Sequence, residues 1–206
     1  MYARSTTIQG DPARMDDGIA FIRDEVMPAV RAMDGCVGLS MLADRESGMC
    51  IVTTSWRDEM AMHESEGMVH DMRQRAAEMM GGRAEVKEWE IALMHRLHEA
   101  HNGACTRVIW GKGDPARAED TVSDFRMTLL PKLDDLPGFC SVSLMLDRDN
   151  GLWATAVTYD SRQDMLDANA QATALRTEFT RSVGMEITEM HEFDLVLAHL
   201  RVPETV

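Results

Sequence analysis

The chain repeats itself. Gly10-Asp11-Pro12-Ala13-Arg14 returns as Gly113-Asp114-Pro115-Ala116-Arg117, 103 positions later. The same offset matches Arg4 with Arg107, Asp17 with Asp120, Pro28 with Pro131, Gly35 with Gly138, Gly48 with Gly151, Arg73 with Arg176 and Gly81 with Gly184. One added residue in the second copy moves the offset to 104, where Glu88-Trp89-Glu90 meets Glu192-Phe193-Asp194 and His95 meets His199. The matches gather at turns and caps, where backbone geometry restricts the residue type. No other feature constrains the fold as much, because whatever about 100 residues can build, this chain of 206 builds twice. Charge divides the same way. Residues 1–100 hold 11 basic and 18 acidic side chains and residues 101–206 hold 10 and 17, so each half carries −7 of the net −14.

That acidity argues against non-specific nucleic-acid binding, which needs Lys and Arg to neutralise phosphates, and against docking on an anionic membrane surface. No run of about 18 apolar residues spans a membrane, and the first residues lack an apolar signal core. Cys36, Cys50, Cys105 and Cys140 occupy non-equivalent positions, with no CxxC and no metal-ligand spacing. Reduced thiols in a cytoplasmic protein, with no metal and no cofactor, are the expectation. No phosphate loop, Ser-His-Asp set or nucleotide fingerprint is present.

Each copy reads as βαββαβ. Asp11-Pro12 and Asp114-Pro115 place a capping residue and a first-turn proline after strand one. Ile19, Ile22, Val26 and Val30 recur at helical spacing, as do Val122, Phe125, Leu129 and Leu133. Pro28 and Pro131 should kink or shorten that helix. The loops at 44–48 and 147–151 read as hairpins joining strands two and three, and a second helix covers about 58–80 and 161–183. The fold class is therefore α+β, with two fused ferredoxin-like βαββαβ units. The expected division is 1–97, a linker at 98–103, and 104–206. The open sheet face of each unit calls for cover, so the two units are expected to pack on each other as an intramolecular pseudo-dimer. Further pairing of whole chains into a homodimer is left open.

The aromatic ending strand three before an acidic helix, Thr54-Ser55-Trp56-Arg57-Asp58-Glu59 and Val157-Thr158-Tyr159-Asp160-Ser161, resembles the antibiotic biosynthesis monooxygenase (ABM) domain of the dimeric α/β-barrel superfamily. Pro137-Gly138-Phe139 leading into strand two is similar to the same family, with Asp34-Gly35-Cys36 as a looser copy. The resemblance implies a pocket in each half. It also implies cofactor-independent, monooxygenase-like oxidation of a small aromatic or quinone-like metabolite. A non-catalytic small-molecule-binding protein is the alternative reading, and haem degradation is a third. Haem-degrading relatives use an Asn on strand one and a Trp and His on helix two; here those places hold Arg4 and Arg107, Ser65 and Ala168, and Gln74 and Thr177.

The candidate ligand-binding residues are Arg4, Trp56, Arg107, Trp110, Trp153, Tyr159 and Asn169. Arg4 and Arg107 lie within strands, where a buried guanidinium needs a partner. Glu90 and Asp194 are the expected carboxylates, with an anionic or enolate substrate as the alternative. Trp110 and Trp153 occur only in the second copy, opposite Thr7 and Cys50, which makes that half the better place for an aromatic-lined pocket. Tyr159 brings a hydroxyl, and Asn169 replaces Glu66 at the edge of helix two. His63 and His70 share a face away from that helix's inner stripe, and Phe21 is expected to be exposed.

Overall fold

In the computed structural model, which describes residues 1–200, both copies form the expected order of elements. Strands β1 (Tyr2–Gln9), β2 (Cys36–Asp44), β3 (Met49–Trp56) and β4 (Arg83–Arg96) come from the first copy. β5 (Cys105–Lys112), β6 (Phe139–Asp147), β7 (Leu152–Tyr159) and β8 (Glu186–Leu200) come from the second. The fold is α+β and ferredoxin-like in each copy. The chain forms two compact units whose membership crosses the repeat: one takes Met1–Trp89 with residues 193–200, the other takes Glu90–Glu192.

In the first unit the strands run in the order β4, β1, β3, β2, β8. β1 and β3 pair antiparallel with Arg4 opposite Thr54, and β2 takes residues 194–200 of β8 along its other edge. Its helices are α1 (Met15–Phe21), α2 (Met27–Arg31), α3 (Glu59–Glu64) and α4 (Glu66–Met79). The apolar stripe of Ile19, Ile22, Val26 and Val30 is buried as its spacing requires, against Leu39, Met41 and Val52 of the sheet. A π-helical turn, Ile22–Val26, links α1 to α2 and places Pro28 in the first turn of α2. The extra residue of that turn absorbs the missing proline N–H, so the helix is redirected rather than ended.

The second unit repeats this plan with the order β8, β5, β7, β6, β4. Here Arg107 stands opposite Val157 in β7, and residues 90–96 of β4 pair with β6. Its helices are α5 (Ala118–Asp124), α6 (Leu130–Asp134), α7 (Arg162–Asp167) and α8 (Asn169–Val183), with a matching π turn at Phe125–Leu129. Val122, Phe125, Leu129 and Leu133 bury against Val142, Leu144 and Val157.

Three expectations are corrected. The second helix of each copy is divided, at Ser65 and at Ala168. The amides that open each first piece are capped by Asp58, accepting from Ala61 N, and by Ser161, accepting from Asp164 N. Phe21 is buried, 4% exposed, beneath the Arg75 guanidinium at 4.7 Å. It belongs to the same buried cluster as the apolar stripe, with the guanidinium over its ring. Third, Glu90 does not meet Arg4; it pairs with Arg148.

Candidate functional site

A guanidinium lies inside each unit, and the two are held differently. In the first unit Arg4 is 2% exposed. Its Nε and Nη2 donate to Glu88 Oε1 at 2.9 and 2.7 Å, and its Nη1 donates to Ser65 Oγ at 3.1 Å. The same Nη1 lies 3.1 Å from Glu66 Oε2, which also takes Arg73 Nη2 at 3.0 Å. Two arginines therefore meet two carboxylates. The Arg73 hydrogen bonds are the main reason that the Glu66 carboxyl lies below its ordinary range. Glu88 rather than Glu90 serves because residues two apart on a strand share a face, so sequence pattern alone cannot separate them.

In the second unit Arg107, also 2% exposed, gives Nε and Nη2 to Glu192 Oε1 at 3.1 and 2.6 Å. Its Nη1 is buried with no hydrogen-bond partner. Both acceptors that serve Arg4 have changed: Ala168 stands for Ser65 and Asn169 for Glu66. Arg176, the counterpart of Arg73, donates to Thr173 Oγ1 at 3.1 Å, and among the described residues no carboxylate pairs with it. Arg107 thus has one carboxylate, Glu192, which Arg162 also approaches at 3.9 Å, and Arg176 has none. Burial lowers the Arg176 pKa, and repulsion from Arg107 lowers it further.

These groups open on a cavity lined entirely by the second unit, about 730 Å³ including its mouth. Arg107, Arg176, Trp110, Trp153 and Tyr159 line it, together with Phe125 and Phe179, whose rings meet edge to face at 5.5 Å. Trp153 is buried, and its Nε1–H has no acceptor. Gly113 backs onto it, and a Cβ at that position would stand 3.1 Å from Trp153 Nε1. The duplicated Gly10/Gly113 thus also makes room for a ring found only in the second copy. Trp110 meets His191 edge-on at 6.1 Å. Burial pushes the Tyr159 phenol up, against a downward pull from Arg107 and Arg176. The equivalent space in the first unit is about 410 Å³, and its lining, including Thr6, Ile8, Val26, Val52, Met72 and Arg73, has no aromatic ring.

Four of the seven candidate residues therefore gather on one cavity: Arg107, Trp110, Trp153 and Tyr159. Arg4 lies in the ion-pair network of the other unit, and Trp56 is core, its Nε1 donating to Thr54 Oγ1 at 3.0 Å. Asn169 is exposed and does not line the cavity; its importance is the carboxylate it does not supply. Arg176, Phe125 and Phe179 escaped the sequence reading as site residues. The matched Arg73 and Arg176 were the available signal. His63 and His70 are exposed and pair with Glu88 and Glu66.

No family profile matches the sequence. Two Mycobacterium tuberculosis H37Rv proteins, Uncharacterized protein Rv2557 and Uncharacterized protein Rv2558, are each 46% identical to the chain over its whole length, covering 92% and 88% of their own. The chain belongs to their family. At the level of fold it is similar to an anthrone oxidase-like protein, with a TM-score of 0.66 at 13% identity and coverage of 97% and 93% of the two chains. It is also similar to a Listeria monocytogenes ferredoxin-fold protein related to antibiotic biosynthesis monooxygenases, with a TM-score of 0.56 at 9% identity and coverage of 95% and 94%. The LmHde heme-degrading enzyme of Listeria monocytogenes shares the fold, with a TM-score of 0.55 at 8% identity and coverage of 94% and 99%. The ABM-type fold is thus shown, and among the described residues no helix is long and apolar enough to cross a membrane. The residues present do not fit haem: the cavity lining holds no histidine or cysteine, and Gln74 and Thr177, at the places of the axial His, are exposed.

Proposed function

We propose that the second unit binds a small aromatic or quinone-like molecule as its phenolate or enolate, and that the chain is a cofactor-independent, monooxygenase-like enzyme acting on it. One observation carries the reading: the buried, unpartnered Arg107 Nη1, with Arg176 beside an aromatic-lined cavity, where the first copy has a carboxylate. An unmet guanidinium donor in an apolar setting favours an anion strongly. The chemistry is an oxidation of a ring methylene. An anthrone-type CH2 beside a conjugated carbonyl loses one proton, and Arg107 and Arg176 hold the resulting oxyanion. The electron-rich carbon then reduces O₂, so that CH2 and O₂ become C=O and H₂O. Rings such as Trp110, Phe125 and Phe179 hold the substrate faces and exclude water.

The second reading is binding without turnover. It rests on the absence of Asp, Glu and His from the cavity lining, which leaves the arginines to acidify the substrate and water to take the proton. Oxygen uptake with anthrone and with naphthol separates the two. Uptake above that of heat-killed protein, lost in Arg107→Met, supports the enzyme; saturable quenching of tryptophan fluorescence with no uptake supports the binder. Neither response would remove both. We extend the proposal to assembly: one chain supplies both halves of the pair, so it should run in solution at its own 23.1 kDa rather than as a further homodimer.

A further inference from the structure

We propose that the second unit carries a transition-metal site, suited to Zn²⁺, built from His98, Cys140 and Asp160, with His101 at its edge. The donor atoms of His98, Cys140 and Asp160 all lie within 4.8 Å of one another. His98 Nε2 and His101 Nε2 stand 3.5 and 3.6 Å from the same atom, Asp160 Oδ1. These separations are long for hydrogen bonds, which centre near 2.9 Å. They match the edge of a tetrahedron with metal–ligand bonds of 2.0–2.3 Å, roughly 3.3–3.8 Å. Asp160 Oδ1 is buried and has no hydrogen-bond partner, although two imidazoles face it. Ring nitrogens that merely hydrogen-bonded a carboxylate would close on it. The orientation of His98 agrees, because its Nδ1 is 3.2 Å from Glu99 O and can donate there, leaving Nε2 as the basic nitrogen.

The elements explain why these four meet. His98 and His101 lie in the connection after β4, spaced like the short ligand pairs of structural zinc sites. Cys140 is fully buried in β6, and Asp160 immediately follows Tyr159 at the end of β7, with its amide donating to Gly138 O at 2.8 Å. One imidazole, one thiolate and one carboxylate make an NSO set for zinc, and His101, whose Nε2 faces Asp160 from outside that group, would complete four ligands by turning inward. Binding releases the thiol proton and forms the metal–sulfur bond. The metal would pin residues 98–101 to the strand ends. The offset of 103 puts Val37 and Arg57 opposite Cys140 and Asp160, so the first copy has no such site. The proposal departs from the metal-free expectation, which weighed the cysteine spacing and the His63 and His70 pair and could not see a histidine brought to a cysteine by the fold.

Cobalt is the probe. Full-length chain stripped with EDTA and titrated with Co²⁺ should bind one equivalent, with the intense visible bands of tetrahedral cobalt and a thiolate-to-cobalt charge-transfer band. Zn²⁺ should displace it. Cys140→Ser should abolish the charge-transfer band. Should that buried change impair folding, His98→Ala at an exposed position should weaken Co²⁺ binding at least tenfold while circular dichroism stays unchanged. Weak octahedral-type absorption only, or affinity unaltered by His98→Ala, would overturn the site.

Discussion

One residue exchange between the copies sets the character of the cavity. Glu66 in the first unit neutralises Arg4 and Arg73; Asn169 at the same place leaves Arg107 with Glu192 and Arg176 with no carboxylate. Restoring the carboxylate with Asn169→Glu should therefore fill the place proposed for the ligand's anionic group. Fluorescence titration with a naphtholate should show at least tenfold weaker binding, with a melting temperature unchanged or raised. Unaltered affinity would remove the arginines from the site. The same asymmetry ranks two stability changes. Glu192→Gln strips a buried guanidinium of its one carboxylate, whereas Glu88→Gln leaves Glu66 within 3.1 Å of Arg4. Glu192 is partly exposed, so a cost of about 2 kcal/mol is expected, below the 3–5 of a fully buried pair. Glu88→Gln should cost less, and urea unfolding of the two variants gives the order.

At the scale of elements, the duplicated caps are independent of the core. Asp58 and Ser161 each accept an amide hydrogen bond at the start of a divided helix. Asp58→Ala and Ser161→Ala should each lower stability by about 1 kcal/mol, and because the caps are far apart in sequence and share no partner the double variant should be near the sum. These residues were readable as caps because the chemistry is local. The break after α3 and α7 was not, since Ser65 and Ala168 continue a helical pattern and only the packing of Met62 or Met165 against the sheet shows where it turns. The π turns were equally hidden: the stripe Ile19, Ile22, Val26 and Val30 reads the same with or without an extra residue in one turn.

Across the molecule, strand β2 depends on a segment far away in sequence. Residues 194–200 of β8 cover the edge of β2 that β3 leaves open. A fragment of residues 1–103 lacks them and exposes that edge, which favours pairing with another copy. Light scattering should find such a fragment dimeric or aggregated. Acid stability also belongs to this scale. The Glu66 and Glu90 carboxyls are held low, chiefly by hydrogen bonds from Arg73 and from Arg148. A lowered folded pKa stabilises above the unfolded value, near 4.3, and that contribution is lost as pH falls toward the folded value. Thermal melts from pH 7 to 3 should decline below about pH 4.5, and Glu90→Gln should shallow that decline.

The duplication, the strand and helix order and the preference for the second half follow from the sequence, because repeats, caps, glycine turns and apolar periodicity act over a few residues. Arg107, Trp110, Trp153 and Tyr159 stand out in the sequence as differences or matches between copies. Which carboxylate meets which arginine, what Phe21 lies against, and the meeting of His98 with Cys140 and Asp160 were decided only in three dimensions. Those pairings depend on which strand faces align and how far each side chain reaches. A period of two leaves Glu88 and Glu90 alike until the register of the sheet separates them.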